Sequence, residues 1–168
     1  PPPPPPPPPP FFFHPHPAKR DAQESRGLGD VYKRQKLNLR GKKREFLTNI
    51  GKNLNLLLPT EANTSTISDK LTAIWLSPDE WMIITNDLVK KDTNEYQLNE
   101  LLFNDISKKN LGAVIDVTDQ FVQLEIKGKN IYEIFSAGSP FNFNEFKDKK
   151  GSSAQTILNH IDVIVHNK

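Results

Sequence analysis

The residues from Lys36 onward predict an α+β domain: an antiparallel sheet built from hairpins, with helices packed on one face. Two observations carry that prediction. Short apolar runs come in pairs joined by turn residues, and between the pairs lie segments whose apolar residues recur every three or four positions. The resulting order is strand, helix, hairpin, helix, hairpin, helix, strand.

The first element, "KLNLRG" (residues 36–41), alternates Leu37 and Leu39 with polar neighbours and ends in a glycine turn, as a short strand does. Phe46, Leu47, Ile50 and Leu54 then fall at helical spacing and predict a helix from about Lys43 to Leu54. Pro59 marks its exit, and "TEANTSTISD" (60–69) reads as a polar loop. Two apolar runs follow, 71–76 ("LTAIWL") and 81–85 ("WMIIT"), separated by Ser77-Pro78-Asp79-Glu80. Serine suits the first turn position, proline presets φ at the second and aspartate suits the third, so a hairpin with a four-residue loop is expected. Ser77 and Glu80 also have the spacing of a helix capping box, but the β-branched and aromatic run after them favours the strand.

Tyr96, Leu98, Leu101, Leu102 and Ile106 predict an amphipathic helix from Asn94 to about Lys108. Ala113, Ile115 and Val117 alternate, as do Val122, Leu124 and Ile126, which predicts a second hairpin turning at Asp119-Gln120. Ile131, Ile134 and Phe135 mark one face of a third helix, closed by "AGSP". "FNFNEF" (141–146) alternates, "KDKKGSS" is a loop, and "AQTILNHIDVIVHNK" is expected to end the domain as one apolar strand.

Residues 1–35 stand apart. Ten prolines, three phenylalanines and His14-Pro15-His16-Pro17 offer an extended polyproline rod but no packing surface. They lack the basic start, apolar run and cleavage site of a signal peptide. Asp30–Gln35 back-translate to a sequence resembling the mosaic end of a transposon-based sequencing adapter. Residues 1–35 are therefore expected to be a disordered, library-derived tail, and residues 36–168 the domain; the other reading is a natural proline-rich tail. The tail holds five of the 22 basic and three of the 20 acidic residues, so the domain carries 17 of each and no net charge. That balance speaks against nucleic acid as a partner. The absence of cysteine excludes disulfides, thiolate nucleophiles and cysteine-bound metals. No apolar run approaches the ~18 residues of a membrane span, so a cytoplasmic protein without a membrane partner is expected.

"WLSPDEW" (75–81) holds the candidates for chemistry. Paired-carboxylate catalysis needs two groups facing one substrate, whereas Asp79 and Glu80 are adjacent turn residues that should diverge. They read as structural. Trp75 and Trp81 should lie close across the hairpin as a core or interface pair. His160 and His166, six apart on one expected strand, would be roughly 20 Å apart by strand rise and could not share a metal. Asp116, an acid inside an apolar strand, needs a hydrogen-bonding partner, with ligand contact as the competing role. Neither a dinucleotide glycine fingerprint, a phosphate loop nor a nucleophile elbow occurs.

The order and spacing of "LNLRG", "LLLPTEANT", "IWLSPDEWMII", "IDVTDQFVQLEIKGKNIYEIFSAGSPFNF" and "SAQTILNHIDVIV" resemble the gamma subunit family of heterotetrameric sarcosine oxidase. The tryptophan-bracketed P-D-E-W is the most specific part; the later D-V-T stretch is shared more loosely with aminomethyltransferase-type folate-binding domains. Gly128-Lys129 stands where the family has glycine-proline, and the family's C-terminal arginine-containing strand and closing helix do not appear, so a C-terminally truncated domain is expected. The resemblance implies a non-catalytic assembly subunit of a complex that oxidatively demethylates sarcosine to glycine and passes the one-carbon unit to tetrahydrofolate. It places FAD, FMN, NAD and tetrahydrofolate on the partner alpha, beta and delta subunits and none on this chain. Structural or interface roles then fall to Leu39, Arg40, Gly41, Trp75, Pro78, Asp79, Glu80, Trp81 and Asp116, with no catalytic, cofactor-binding or metal-ligating residue. Two rivals remain: a stand-alone folate-binding protein of the aminomethyltransferase type, and an unrelated interaction module.

Overall fold

A computed structural model describes residues 32–90 and 98–168; residues 1–31 of the expected tail and 94–97 of the second expected helix lie outside the described residues. In chain order the elements are β1 (Tyr32–Lys33), β2 (Lys36–Arg40), α1 (Arg44–Leu54), β3 (Ser65–Ile67), β4 (Leu71–Ser77), β5 (Glu80–Thr85) and β6 (Val89–Lys90). After them come α2 (Leu98–Leu102), which runs on as a π-helical turn (Phe103–Ser107), then β7 (Ala113–Asp116), α3 (Ile131–Gly138), β8 (Ser153–Leu158) and β9 (Ile161–His166). The fold is α+β. Its centre is a five-stranded antiparallel sheet in the order β3-β4-β5-β2-β7, accompanied by the separate pairs β1-β6 and β8-β9.

β2 is the sheet's inner hinge. Leu37 pairs with Ile83 and Asp116, and Leu39 with Trp81 and Val114, so both leucines are flanked by ladders on each side and buried. α1 forms because Phe46, Ile50 and Leu54 repeat every four residues and project onto one face. It ends where Asn55 takes the left-handed conformation at φ 48°. That face lies on Leu37, Leu39, Ala73, Trp81 and Ile83, and Leu102 and Ile106 complete the same core. The opposite sheet face presents Ile74, Met82 and Val117, with Leu76, Ile84 and Ile164 packed against them. Burial of these side chains from water is the main stabilising contribution, about 1.5–3 kcal/mol for each large apolar residue.

Several expected elements differ from the structure, each for a local reason. The polar loop 60–69 contains β3, which pairs Ser65, Thr66 and Ile67 with Ile74, Ala73 and Thr72. As an edge strand it needs no apolar face, so periodicity could not reveal it. The hairpin of β4 and β5 turns on Pro78-Asp79 alone, since Ser77 pairs with Glu80; Leu76 is the extra residue of a bulge between the Trp75–Trp81 and Ser77–Glu80 pairs. The second helix leaves α geometry after Leu102, with the Lys108 and Leu111 amides donating five residues back to Phe103 O and Ile106 O.

The second expected hairpin is absent. β7 pairs with β2, but residues 121–128 form no strand. Thr118 explains the departure: its hydroxyl accepts from Lys36 N–H at 3.0 Å, its own N–H donates to Asp116 Oδ1 at 2.9 Å, and Gln120 N–H donates to Val117 O. Those bonds lead the chain along β2 instead of back onto β7. Residues 141–146 are likewise no strand; Phe141, Phe143 and Phe146 turn inward as an aromatic cluster with Tyr132 and Phe135, ring centroids 4.9 to 6.3 Å apart. The final expected strand is a hairpin, because Asn159 and His160 both have positive φ (48° and 69°), as a two-residue hairpin turn demands. His160 therefore sits in a turn and only His166 in a strand.

The domain also begins earlier than Lys36. Tyr32 and Lys33 pair with Lys90 and Val89, and Gln35 is buried. Gln35 N–H donates to Thr85 Oγ1 at 2.8 Å and Gln35 O accepts from Thr85 N–H at 3.0 Å, extending the β2–β5 ladder by one residue. The four residues 32–35, assigned to the tail on sequence grounds, are part of the fold.

Candidate functional site

The candidate residues converge where the β4–β5 turn meets the end of β2. Trp81 is the inner part. Its ring is buried, stacked on Phe46 with centroids 5.9 Å apart, and its Nε1 donates to Pro59 O at 2.7 Å. One side chain thus joins β5, α1 and the segment leaving α1. Trp75 faces Trp81 across the hairpin and packs half-buried against the same core, while the ring stacked on Trp81 is that of Phe46.

Asp79 and Glu80 point to different partners. Glu80 Oε1 accepts from Asn38 Nδ2 at 2.7 Å, and Oε2 pairs with Arg40 Nη2 at 3.0 Å. Arg40 is directly opposite Glu80 in register and Asn38 is two residues back on the same face of β2. Asp79 Oδ1 accepts from Ser77 Oγ at 2.9 Å, and Lys42 Nζ lies 3.5 Å from Oδ2. The Ser77 hydroxyl, with the Lys42 and Arg40 charges behind it, holds the Asp79 carboxyl below its ordinary value against an opposing desolvation. A general acid at neutral pH needs the reverse shift. Pro78 and Asp79 form the turn itself, and Asp79 O accepts from Gly41 N–H at 2.9 Å. Gly41 has a steric reason to lack a side chain: a Cβ there would lie 2.6 Å from the Phe46 ring.

Asp116 stands apart from this cluster, at the end of β7, where it is half-buried and accepts from Thr118 N–H. Its partner is a turn amide, the hydrogen-bonded role. Among the described residues no group of three or more histidines, cysteines or carboxylates is arranged to hold a metal, and no helix is long and apolar enough to cross a membrane.

One juxtaposition is invisible in the sequence. His166 Nε2 lies 2.8 Å from Ser65 Oγ, 101 positions away along the chain. A serine–histidine pair invites comparison with a nucleophile and its base, but the hydroxyl donates to Gly151 O at 2.7 Å. Its hydrogen is committed there, so Nε2 must supply the hydrogen that bridges the pair, and an N–H donor cannot take a proton from serine. Burial, then the Lys168 charge, push the His166 pKa below its ordinary value, which keeps the imidazole neutral. The pair ties β9 to β3. An open concavity of about 430 Å³ lies elsewhere, beside α3, lined by Lys129, Tyr132, Glu133, Ser136, Asn144 and Lys147, with no nucleophile–base pair among them.

Comparison with known proteins gives a family match and matches among solved structures. The model of the family described as "Sarcosine oxidase, gamma subunit family" matches residues 41–167. A chain of heterotetrameric sarcosine oxidase from Corynebacterium sp. U-96, solved in complex with pyrrole 2-carboxylate, superposes with a TM-score of 0.64. It is 15% identical, and the match covers 82% of this chain and 67% of that one; at that identity the likeness speaks for the fold. No curated protein sequence matches.

Two outcomes are expected from this geometry. Asp79→Asn combined with Glu80→Gln should shift the denaturation midpoint only slightly, whereas Trp81→Ala should cost about 3–5 kcal/mol. Equal losses from the two would show that the carboxylates, and not the ring, hold the hairpin. For His166, the depressed folded pKa means that the unfolded chain takes up the proton first. Its contribution should be full above the ordinary value of 6.5 and decline as pH falls through the lowered folded value. Urea midpoints between pH 7.5 and 5 should fall less steeply for His166→Gln than for the parent chain; parallel curves would remove His166 as the source.

Proposed function

The chain belongs to the sarcosine oxidase gamma subunit family, and from that membership we propose that it works as a non-catalytic assembly subunit of a heterotetrameric sarcosine oxidase. The observation that carries this reading is the family match over residues 41–167. The geometry supports it from the chemical side. Asp79, Glu80 and Asp116 each engage a neighbour of the fold, and the Ser65 hydroxyl donates to a backbone carbonyl. None of these groups is poised to move a proton to or from a substrate.

In this proposal the whole complex oxidatively demethylates sarcosine to glycine and transfers the one-carbon unit to tetrahydrofolate. The flavins, the nicotinamide cofactor and the folate sit on the alpha, beta and delta subunits, and the complex is cytoplasmic. This chain supplies surface. Its own residues hold the hairpin tip in one shape: Ser77, Lys42, Asn38 and Arg40 fix the two carboxylates, and Trp81 anchors the strand beneath them. A rigid charged tip of this kind can set orientation in an interface more than affinity.

The test is co-expression of the larger subunits with and without this chain, followed by size-exclusion chromatography and sarcosine turnover. The chain should co-elute, and turnover should fall when it is left out. Equal assembly and turnover without it would contradict the assembly role. Micromolar binding of tetrahydrofolate by the isolated chain would replace it with the folate-binding alternative.

A further inference from the structure

The concavity beside α3 encloses about 430 Å³, within the range of small-molecule sites. Tyr132, Glu133 and Ser136 of α3, three and four residues apart on one helical face, line one wall together with Lys129 just before the helix. Asn144 and Lys147 line the other. Both walls are held from behind. Tyr132 packs on Phe143 and Phe146, with ring centroids 6.3 and 6.2 Å away, and both phenylalanines are buried. On the far side Lys147 N–H donates to Phe143 O, and Asn167 Nδ2 lies 2.9 to 3.2 Å from the carbonyls of Phe146, Lys147 and Lys149. The charges on these walls are of both signs, and none is paired. Among the described residues, the side chains of Lys129, Glu133, Ser136, Asn144 and Lys147 make no hydrogen bond and no ion pair. Asp105 and Lys109, also four apart, do close, to 3.1 Å. Lys129 stands before Glu133, the order that pairs less well at this spacing, so both charges stay available to the concavity.

We propose that this concavity binds a small zwitterionic molecule, its anionic group (a carboxylate or a phosphate) held by Lys129 and Lys147 and its ammonium by Glu133. The set of charges selects for that class. A simple anion meets the Glu133 carboxylate, a simple cation meets two lysines, and a molecule carrying both charges satisfies all three. The Tyr132 and Ser136 hydroxyls and the Asn144 amide are the neutral groups that orient it. The site stands apart from the assembly reading, whose hairpin tip uses none of these residues.

The experiment is titration of the full chain with two matched pairs of probes, read by amide shifts in a proton–nitrogen correlation spectrum. Phosphoethanolamine is set against ethyl phosphate, and β-alanine against propionate; within each pair the ammonium is the difference. The amino member of at least one pair should shift the amides of Lys129, Tyr132, Ser136 and Asn144 with a Kd of about 1 mM or tighter, and its partner should bind about tenfold more weakly. The pair that does so names the anionic group. Glu133→Gln should erase that preference, because it removes both the attraction for the ammonium and the repulsion of the simple anion. Lys129→Ala combined with Lys147→Ala should abolish the shifts and leave the urea midpoint unchanged, since both side chains are exposed. Lys52→Ala combined with Lys70→Ala, two exposed lysines elsewhere, should bind as the parent does. No saturable shift from any of the four probes overturns the site. Equal binding within both pairs, or a preference that survives Glu133→Gln, overturns the zwitterion as its ligand. Equal loss in the two lysine variants reduces the binding to general charge attraction and overturns the site as well.

Discussion

The arrangement depends on where one aromatic ring is seated. Phe46 projects from the first turn of α1 onto Trp81, and its ring occupies space that Gly41 and Gly112 leave open. A Cβ at Gly41 would come within 2.6 Å of the ring; one at Gly112 would come within 2.8 Å of it and 2.4 Å of Arg40 O. Two glycines far apart in the chain thus bound one cavity. Gly41 lets the chain turn from β2 into α1 directly under the ring, and Gly112 lets the approach to β7 pass against the end of β2. Core packing tolerates neither a gap nor an extra methyl at such a point without a cost of about 1–3 kcal/mol. With the ring in place, Trp81 is buried with its indole N–H turned to Pro59 O, and the β4–β5 turn is held beside β2, where Glu80 meets Asn38 and Arg40.

This ordering of dependence separates two kinds of surface. Around the hairpin tip every carboxylate has a partner and the shape is fixed from below by the core. From Phe121 to Gly128 the chain is apolar toward water and bonded to nothing through its backbone. The first surface is held by the core beneath it, and the second is exposed along its whole length.

Much of this was legible in the sequence where a local pattern decides the outcome. Phe46, Ile50 and Leu54 at four-residue intervals define α1, and the two apolar runs around Ser77-Pro78-Asp79-Glu80 define β4 and β5. The divergence of Asp79 and Glu80 follows from their adjacency in a turn. Patterns without a local signature were missed. β3 is polar and lies at an edge, and the last hairpin turns on Asn159-His160 instead of a glycine dipeptide. The alternation of residues 121–128 predicted a strand that the structure does not form, because the bonds made by Thr118 and Gln120 carry the chain away from β7. Ser65 with His166, Gly41 with Gly112, and Gln35 with Thr85 are contacts across the fold, and only the three-dimensional path of the chain brings them together.

Hydrogen–deuterium exchange, followed by peptide mass spectrometry on the isolated chain and on the assembled complex, measures the seating of the core and the docking of the surface in one experiment. Alone, the amides of Leu37, Leu39, Trp81 and Ile83 should exchange slowly, as the centre of a cooperative core does, and those of residues 121–128 at rates close to an unstructured peptide. In the complex, surface peptides of this chain should gain protection while the core amides change little. Core amides that exchange as fast as residues 121–128 in the isolated chain, or no new protection anywhere on this chain in the complex, would contradict the account.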